Sequence, residues 1–247
     1  MTAPVAIAVF GAAGRMGRSI IRIAGERDDV VVAVQMDRSG SSTTEHAISS
    51  AFDVLIDFSG AAGFDQSLAL ALEHGAAFVS GSTGLSDDQH NALRNAAKKI
   101  PVLWSANFSI GVAVLRKLVG DAARMLAEFD CEIHETHHRD KKDSPSGTSL
   151  VLGRDVAEAR GIAFDEHAVM SRVSSHGARL TGEIGFSASR GGDVVGEHVV
   201  QLIGQGERLE LIHRASDRDI FARGAILAAL WLAGKPAGVY SLSDTLR

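Results

Sequence analysis

The residue types most able to do chemistry are concentrated in one run, His137-His138-Arg139-Asp140-Lys141-Lys142-Asp143-Ser144-Pro145-Ser146-Gly147-Thr148. Imidazole is the side chain that gives up a proton near neutral pH. The neighbouring guanidinium and ammonium groups would attract carboxylates or polarise an imine. A helical pattern then runs from Thr148 to Arg160, with Ser146 placed as its N-cap. Gly147 and Thr148 would offer free N–H groups at the helix start, where an anion is stabilised. A proton donor beside positive charge and an anion cradle suits a reductase of a small carboxylated substrate.

Two other readings compete for this run. His134-Glu135-Thr136-His137-His138 matches H-E-x-x-H, the zinc-peptidase motif. That chemistry needs a helix, whereas Phe129, Cys131 and Ile133 alternate with Asp130, Glu132 and His134 as in a strand. Residues four apart on a strand are roughly 13 Å from each other, too far to share one zinc. The match is therefore read as accidental and no metal is expected. The plainer alternative is a solvated loop, since Arg139, Lys141 and Lys142 balance Glu135, Asp140 and Asp143. Against it stand the two adjacent histidines at a strand end and the turn that leads into a helix.

A second set of residues opens the chain. The apolar stretch Val5 to Phe10 runs into Gly11-Ala12-Ala13-Gly14-Arg15-Met16-Gly17 and then a helix. Such a turn points helix-start N–H groups at a pyrophosphate, and its glycines allow close backbone approach. The spacing is G-x-x-G-x-x-G, a weak signal alone. Asp37 strengthens it, because it ends the next strand twenty residues after Gly17, where an acid can accept hydrogen bonds from ribose hydroxyls. Arg38 follows and could pair with a 2′-phosphate. The expected cofactor is NADH, NADPH or both; the alternative is a strand–helix turn without a ligand.

These residues need a scaffold. At 247 residues the chain is long enough for one large domain or two smaller ones. A formal charge of −5 argues against a nucleic-acid partner. The 45% hydrophobic content fits a soluble globular protein, and the N-terminal apolar stretch is too short to cross a bilayer. A single cysteine, Cys131, excludes an internal disulfide and fits a reducing, cytoplasmic setting.

Up to residue 105, apolar strands at 5–10, 30–34, 53–58, 76–80 and 101–105 alternate with helical patterns at 15–27, 62–74 and 86–99, the last capped by Ser86. Alternation of this kind predicts a Rossmann-like parallel sheet with helices on both faces. A helix over 110–128 follows. Strand-like stretches at 180–190, 194–204 and 207–214 then succeed one another, predicting an inserted α+β domain with a mostly antiparallel open sheet. A final helix, 219–233, is closed by Gly234 and Pro236. The expected domains are 1–108 with 219–247 for the dinucleotide, and 109–218 for substrate binding and oligomerisation. Hinges near 108–111 and 215–218 would let them close on substrate.

His137 to Thr148 resembles the H-H-R-x-K-x-D-x-P-S-G-T signature of the 4-hydroxy-tetrahydrodipicolinate (dihydrodipicolinate) reductase family of lysine and diaminopimelate biosynthesis. Nearly the whole chain takes part. Gly11 to Gly17 resembles the family's G-x-x-G-R-M-G turn, Asp37-Arg38 its acid–arginine pair, and Gly81-Ser82-Thr83-Gly84 its G-T-T-G loop near the nicotinamide. Ser105-Ala106-Asn107-Phe108-Ser109 matches its A-A-N-F-S segment, and Gly191 to His198 a further block.

The resemblance implies NAD(P)H-dependent reduction of a cyclic imine carrying two carboxylates. It makes His137 the proton donor and Lys141 the second catalytic group. Substrate contacts would come from His138, Ser146, Gly147, Thr148 and Arg218, and cofactor contacts from the glycine turn, Asp37, Arg38, Phe58, Gly81, Ser82, Thr83 and Ser105 to Phe108. A homotetramer formed through the antiparallel sheet is also implied. Two departures stand out. The segment from Arg38 to Asp53 is short, leaving little room for a crossover helix. Gly60-Ala61-Ala62 replaces the basic residue and proline common after the third strand, removing a side chain that could contact the cofactor. Two other functions compete: a semialdehyde dehydrogenase, which would need Cys131 as nucleophile, and a non-catalytic NAD(P)H sensor, which would not need the His137–Lys141 set.

Overall fold

The computed structural model describes residues 3–37, 51–172 and 177–246. Arg38 and the short segment after it lie outside the described residues. The chain divides into two compact units, Met1–Ile110 with Asp219–Arg247, and Gly111–Arg218.

The first unit carries strands β1 (Val5–Phe10), β2 (Val30–Met36), β3 (Val54–Asp57), β4 (Ala77–Ser80) and β5 (Pro101–Trp104), with helices α1 (Arg15–Ala24), α2 (Ala61–His74) and α3 (Asp87–Ala96) between them. Helix α4 (Ile110–Met125) begins where this unit ends. The sheet order is β11-β5-β4-β3-β1-β2 and every pairing is parallel. Strands buried on both faces are chiefly apolar, and β3 and β4 are buried at every position, with Asp57 and Ser80 the polar residues at their carboxyl ends. Phe10, Leu55, Phe64, Phe78 and Val102 fill the core beside them. Each such side chain contributes roughly 1.5–3 kcal/mol by leaving water. Ser86 caps α3 in a reciprocal pair with Gln89, as the sequence predicts. Strand β11 (Gly238–Tyr240), three residues beside β5, was not foreseen because so short a run carries no readable period.

Between β1 and β3 the strand order reverses, since the chain steps to β2 on one side and to β3 on the other. In parallel sheets a ligand crevice opens at the carboxyl ends of the strands at such a point. The glycine turn after β1, Phe58 after β3, Gly81 after β4 and Ser105 after β5 all follow those ends.

The second unit holds β6 (Asp130–His137), α5 (Gly147–Arg160), α6 (Phe164–His167), β7 (Ala168–Val169), β8 (Ile184–Arg190), β9 (Gly196–Ile203) and β10 (Arg208–Ala215). Helix α7 (Asp219–Leu232) returns to the first unit. The second sheet runs β10-β9-β6-β8-β7 and is mixed. Its β10·β9 and β9·β6 pairings are antiparallel, whereas β6·β8 and β8·β7 are parallel. Period-2 alternation reports burial and not strand direction, so the parallel half was not visible in it. The α5–α6 segment supplies the long connection that a parallel return requires. Cys131, Ile133, Leu152, Val156, Phe186 and Val200 form the core of this unit. Among the described residues, no helix is long and apolar enough to cross a membrane.

Candidate active site

Strand β6 is the spine of the site. Its burial alternates without a break from Cys131 through Ile133 and Glu135 to His137. The H-E-x-x-H residues therefore lie on an extended strand, and His134 faces away from Glu135 and His137 to meet Ser187 Oγ at 2.9 Å. The sequence reading followed this alternation only as far as His134. Continued two steps, it places a carboxylate and an imidazole inside the unit.

Register supplies their partners. Glu135 lies opposite His198 on β9, and His137 lies beside Arg190 on β8. Glu135 is 1% exposed, and its Oε1 accepts from Arg190 Nη2 at 2.9 Å and from the Ser146 backbone N–H at 3.0 Å. Its Oε2 lies 2.8 Å from His137 Nδ1, a close electrostatic contact that is off the line of a strong hydrogen bond. Burial works against the charge on Glu135. The Ser146 and Arg190 hydrogen bonds, with His137 nearby, overcome it and hold the carboxyl below its usual range. His137 is 8% exposed, and burial pushes its pKa down while Glu135 pulls it back up. The His137 and His198 rings meet edge to face at 5.2 Å. Burial, with His137 close by, lowers His198 to about 4, so its ring is neutral near pH 7.

Lys141 and helix α5 complete this side. Lys141 Nζ donates to both oxygens of Asp143 at 2.8 Å, and Asp143 is held below the usual carboxylate range chiefly by that contact. Ser146 caps α5, its Oγ accepting from Ser149 N–H at 3.2 Å and meeting His198 Nε2 at 3.2 Å. Expected to touch substrate, Ser146 is instead buried, with its N–H on Glu135 and its hydroxyl turned inward. Gly147 is exposed with open space at its Cα, and Thr148 is half-buried. His138 is half-buried and Arg218 exposed. Sequence reasoning assigned no role to Glu135, Arg190 or His198.

In the first unit, Gly11 adopts φ +86°, and a Cβ there would meet the Phe58 carbonyl at 3.1 Å. A Cβ on Gly17 would come within 2.7 Å of Ala12 Cα and overlap the Gly11 carbonyl oxygen. These two positions explain why the turn requires glycine. Asp37 accepts from Ala13 N–H with both oxygens at 3.2 Å, so the acid after β2 already faces the turn. Phe58 packs against Phe108 with centroids 5.5 Å apart. Ser105 Oγ donates to the Asn107 carbonyl at 2.7 Å, shaping the segment after β5. Ala13, Gly14, Arg15, Thr83 and Ala106 are exposed; Met16 and Gly81 are half-buried and Ala12 buried. Ser82 is buried, and its hydroxyl donates to Asp57 at 2.7 Å, which leaves its side chain no free donor for a cofactor.

Glu135, His137 and His198 each offer a ligand atom within 4.8 Å of the others, a set of types that binds divalent metals. Arg190 already offsets the carboxylate charge, and a proton on His137 would compete with an ion. Cys131 is fully buried, and burial raises its thiol to about 12. A thiolate nucleophile of the semialdehyde-dehydrogenase kind is therefore absent among the described residues.

The chain matches the family model "Dihydrodipicolinate reductase, N-terminus" over residues 5–108 and "Dihydrodipicolinate reductase, C-terminus" over residues 111–246. It belongs to the dihydrodipicolinate reductase family. Curated members named 4-hydroxy-tetrahydrodipicolinate reductase are 46% identical in Zymomonas mobilis, covering 98% of this chain and 97% of that one. In Stenotrophomonas maltophilia the figure is 44%, with 99% and 98% covered. Among solved structures, a dipicolinate-bound dihydrodipicolinate reductase from a Paenisporosarcina species has the same fold, with a TM-score of 0.79, 21% identity, and 98% and 99% of the two chains covered. A Corynebacterium glutamicum DAP dehydrogenase shares the fold more distantly, with a TM-score of 0.57, 15% identity, and 98% and 94% covered. The family reading of the residue 137–148 signature thus holds over a full-length relationship, and neither the dehydrogenase nor the sensor alternative is favoured.

Proposed function

We propose that this chain uses NADH or NADPH to reduce the dihydrodipicolinate/4-hydroxy-tetrahydrodipicolinate imine to tetrahydrodipicolinate in lysine and diaminopimelate biosynthesis. The observation that carries this reading is the full-length family match joined to a buried imidazole, His137, at the end of β6. When bound, the nicotinamide supplies the hydride. The residues of the chain bind, orient and protonate. The glycine turn with Asp37 and Arg38, Phe58, the Gly81–Thr83 backbone and Ser105–Phe108 hold the cofactor in the first unit. His138, Gly147, Thr148 and Arg218 take the two substrate carboxylates, with Ser146 supporting them from within. His137 delivers the proton that balances the added hydride, and Lys141 offsets carboxylate charge next to it.

The division of labour between the units follows the same reading: residues 1–108 with 219–247 for the cofactor, residues 109–218 for substrate and assembly. The second unit leaves Ile212 about two-fifths exposed on the edge strand β10, beside half-buried Val199 on the sheet face away from the core, which supports assembly into a homotetramer through this sheet. A cytoplasmic location follows from the pathway.

The test is oxidation of NADH and of NADPH, followed by near-ultraviolet absorbance, with substrate formed in place from pyruvate and aspartate semialdehyde by the preceding synthase. His137→Gln combined with Lys141→Ala is expected to lower turnover by at least ~100-fold, the scale of a lost general acid. Well-folded protein that binds NADH yet oxidises neither cofactor overturns the reading. Sedimentation as a monomer overturns the assembly.

A further inference from the structure

We propose that Glu135 is a positioning residue for the proton donor: it holds His137 through Nδ1 and leaves Nε2 as the nitrogen that delivers the proton. The inference rests on the reading of His137 as donor.

Three observations support it. First, Oε2 of Glu135 lies 2.8 Å from Nδ1, the oxygen placed to accept from that nitrogen, and Glu135 is held in place. Its other oxygen is pinned by Arg190 and by the Ser146 N–H. Arg190 is itself fixed by the carbonyls of Ser189 and Asp143, both at 2.7 Å. Second, Nε2 faces Gly196, where a Cβ would come within 3.0 Å of it. The missing side chain keeps space at that nitrogen and none of the hydrogen bonds above uses it. Third, a carboxylate this buried is costly unless it is paired. Keeping an ionised group 1% exposed beside an imidazole fits a group that must stabilise imidazolium.

Several charged or titratable groups face His137. Glu135 shares its strand, Arg190 comes from β8, and His198 from β9. Lys141 and Asp143 come from the loop that follows. His213 on β10 acts on His198. Glu135 and Asp143 favour the imidazolium, whereas Lys141 and Arg190 oppose it. Glu135 is the buried one of the two favourable groups and the one in contact with the ring.

The proton step then balances simply. The Nε2–H bond breaks and the proton passes to substrate; the ring becomes neutral and keeps its Nδ1–H facing Glu135. A solvent proton restores Nε2–H for the next turnover. Off-line contacts of this kind commonly tighten only in the substrate complex.

Three measurements test it. In Glu135→Gln, kcat is expected to fall by at least ~10-fold with KM nearly unchanged, because orientation and charge of a general acid are lost and not a substrate contact. Activity needs protonated His137 and so disappears as pH rises through its pKa. Without the carboxylate that pKa drops, and the alkaline limb of the pH–rate profile moves to lower pH. Nitrogen-15 NMR of the wild-type chain should show neutral His137 with its proton on Nδ1. That readout needs neither a variant nor activity, so it stands if Glu135→Gln fails to fold. Gly196→Ala should lower kcat while leaving the Nδ1–H signature in place. An unshifted alkaline limb in folded Glu135→Gln, or a wild-type neutral form protonated on Nε2, overturns the proposal. Absence of reductase activity in the wild type would instead overturn the proposed function, leaving the tautomer result intact.

Discussion

Each unit is organised around a buried carboxylate, and the two are held in opposite ways. Asp57, at the end of β3, takes hydrogen bonds from neutral donors among the described residues. Ser59 N–H and Oγ reach Oδ1 at 3.0 and 2.6 Å, and Ser80 and Ser82 Oγ reach Oδ2 at 2.8 and 2.7 Å. Glu135, near the end of β6, is held by a guanidinium, an imidazole and one amide. Asp57 ties together the loops that follow β3 and β4, where a cofactor would lie. Its donors are hydroxyls and one backbone amide, which can fix a shape but have no charge to give up. The partners of Glu135 include a group that must change charge for the proposed chemistry. One node sets loop geometry, while the other links geometry to protonation.

Removing a cationic partner should do the most damage. Arg190→Met leaves Glu135 buried with one amide and an imidazole whose pKa burial lowers, and is expected to cost about 3–5 kcal/mol in urea unfolding. The acid side of the stability curve should change as well. A carboxyl held below its usual range contributes stability above its unfolded pKa and loses it as pH falls through its folded pKa. Without Arg190 that contribution shrinks, so the variant should be less sensitive to acid below about pH 4.5 than the parent. A loss under 1 kcal/mol would mean that Glu135 is protonated or rearranged. At the neutral node, Asp57→Ala strands several hydroxyl and amide donors at about 1–3 kcal/mol each where no water enters. Asp57→Asn should cost much less, because hydroxyls can rotate to accept from the new amide. Equal effects of Asn at 57 and Gln at 135 on the pH–rate profile would erase the distinction.

His198 gives the next effect. Its folded pKa of about 4 lies below the ordinary histidine value, so the folded state resists protonation. Stability is complete above pH 6.5 and is lost as pH falls from there toward 4, by roughly 2–3 kcal/mol over the window. His198→Asn should flatten the urea midpoint across that range. An unchanged slope would place the acid sensitivity elsewhere.

Much of this was readable in the residues. The strand–turn–helix start, the Ser86 and Ser146 caps and the rejection of H-E-x-x-H all rest on local spacing, which survives folding. The inward face of β6 was equally local, since the alternation through Cys131 and Ile133 continues to Glu135 and His137. What could not be read was register. Glu135 meets His198, and His137 meets Arg190, only because β9 runs antiparallel and β8 parallel beside β6. Those partners lie more than fifty residues along the chain and no period announces them. The donors on Asp57 were hidden for the same reason, as Ser80 and Ser82 reach it from the next strand and its loop. The family resemblance implies ligand contacts for Ser82 and Ser146, but a motif does not say which way a hydroxyl points: Ser82 turns in to Asp57, and Ser146 to Ser149 and His198.

The smallest expected effects separate the nodes most finely, because they come from the same atomic change at each. Ser82→Ala and Ser146→Ala both delete one buried hydroxyl. Ser146→Ala removes the N-cap of α5 but keeps the backbone N–H on Glu135, so about 1 kcal/mol should be lost. Ser82→Ala removes one donor to Asp57 and the acceptor of the Gly60 N–H at 2.9 Å, at a similar cost of about 1 kcal/mol. Their kinetics should diverge. Loosening the Ser59–Gly60 loop should raise KM for NADH or NADPH and leave the pH profile alone. Losing the cap should leave the KM for cofactor alone, and with Glu135 still anchored by its amide and Arg190, the alkaline limb should stay in place. If Ser146→Ala moves that limb, the hydroxyl and His198 share in holding the proton on His137, and the charged node is larger than Glu135, Arg190 and His137.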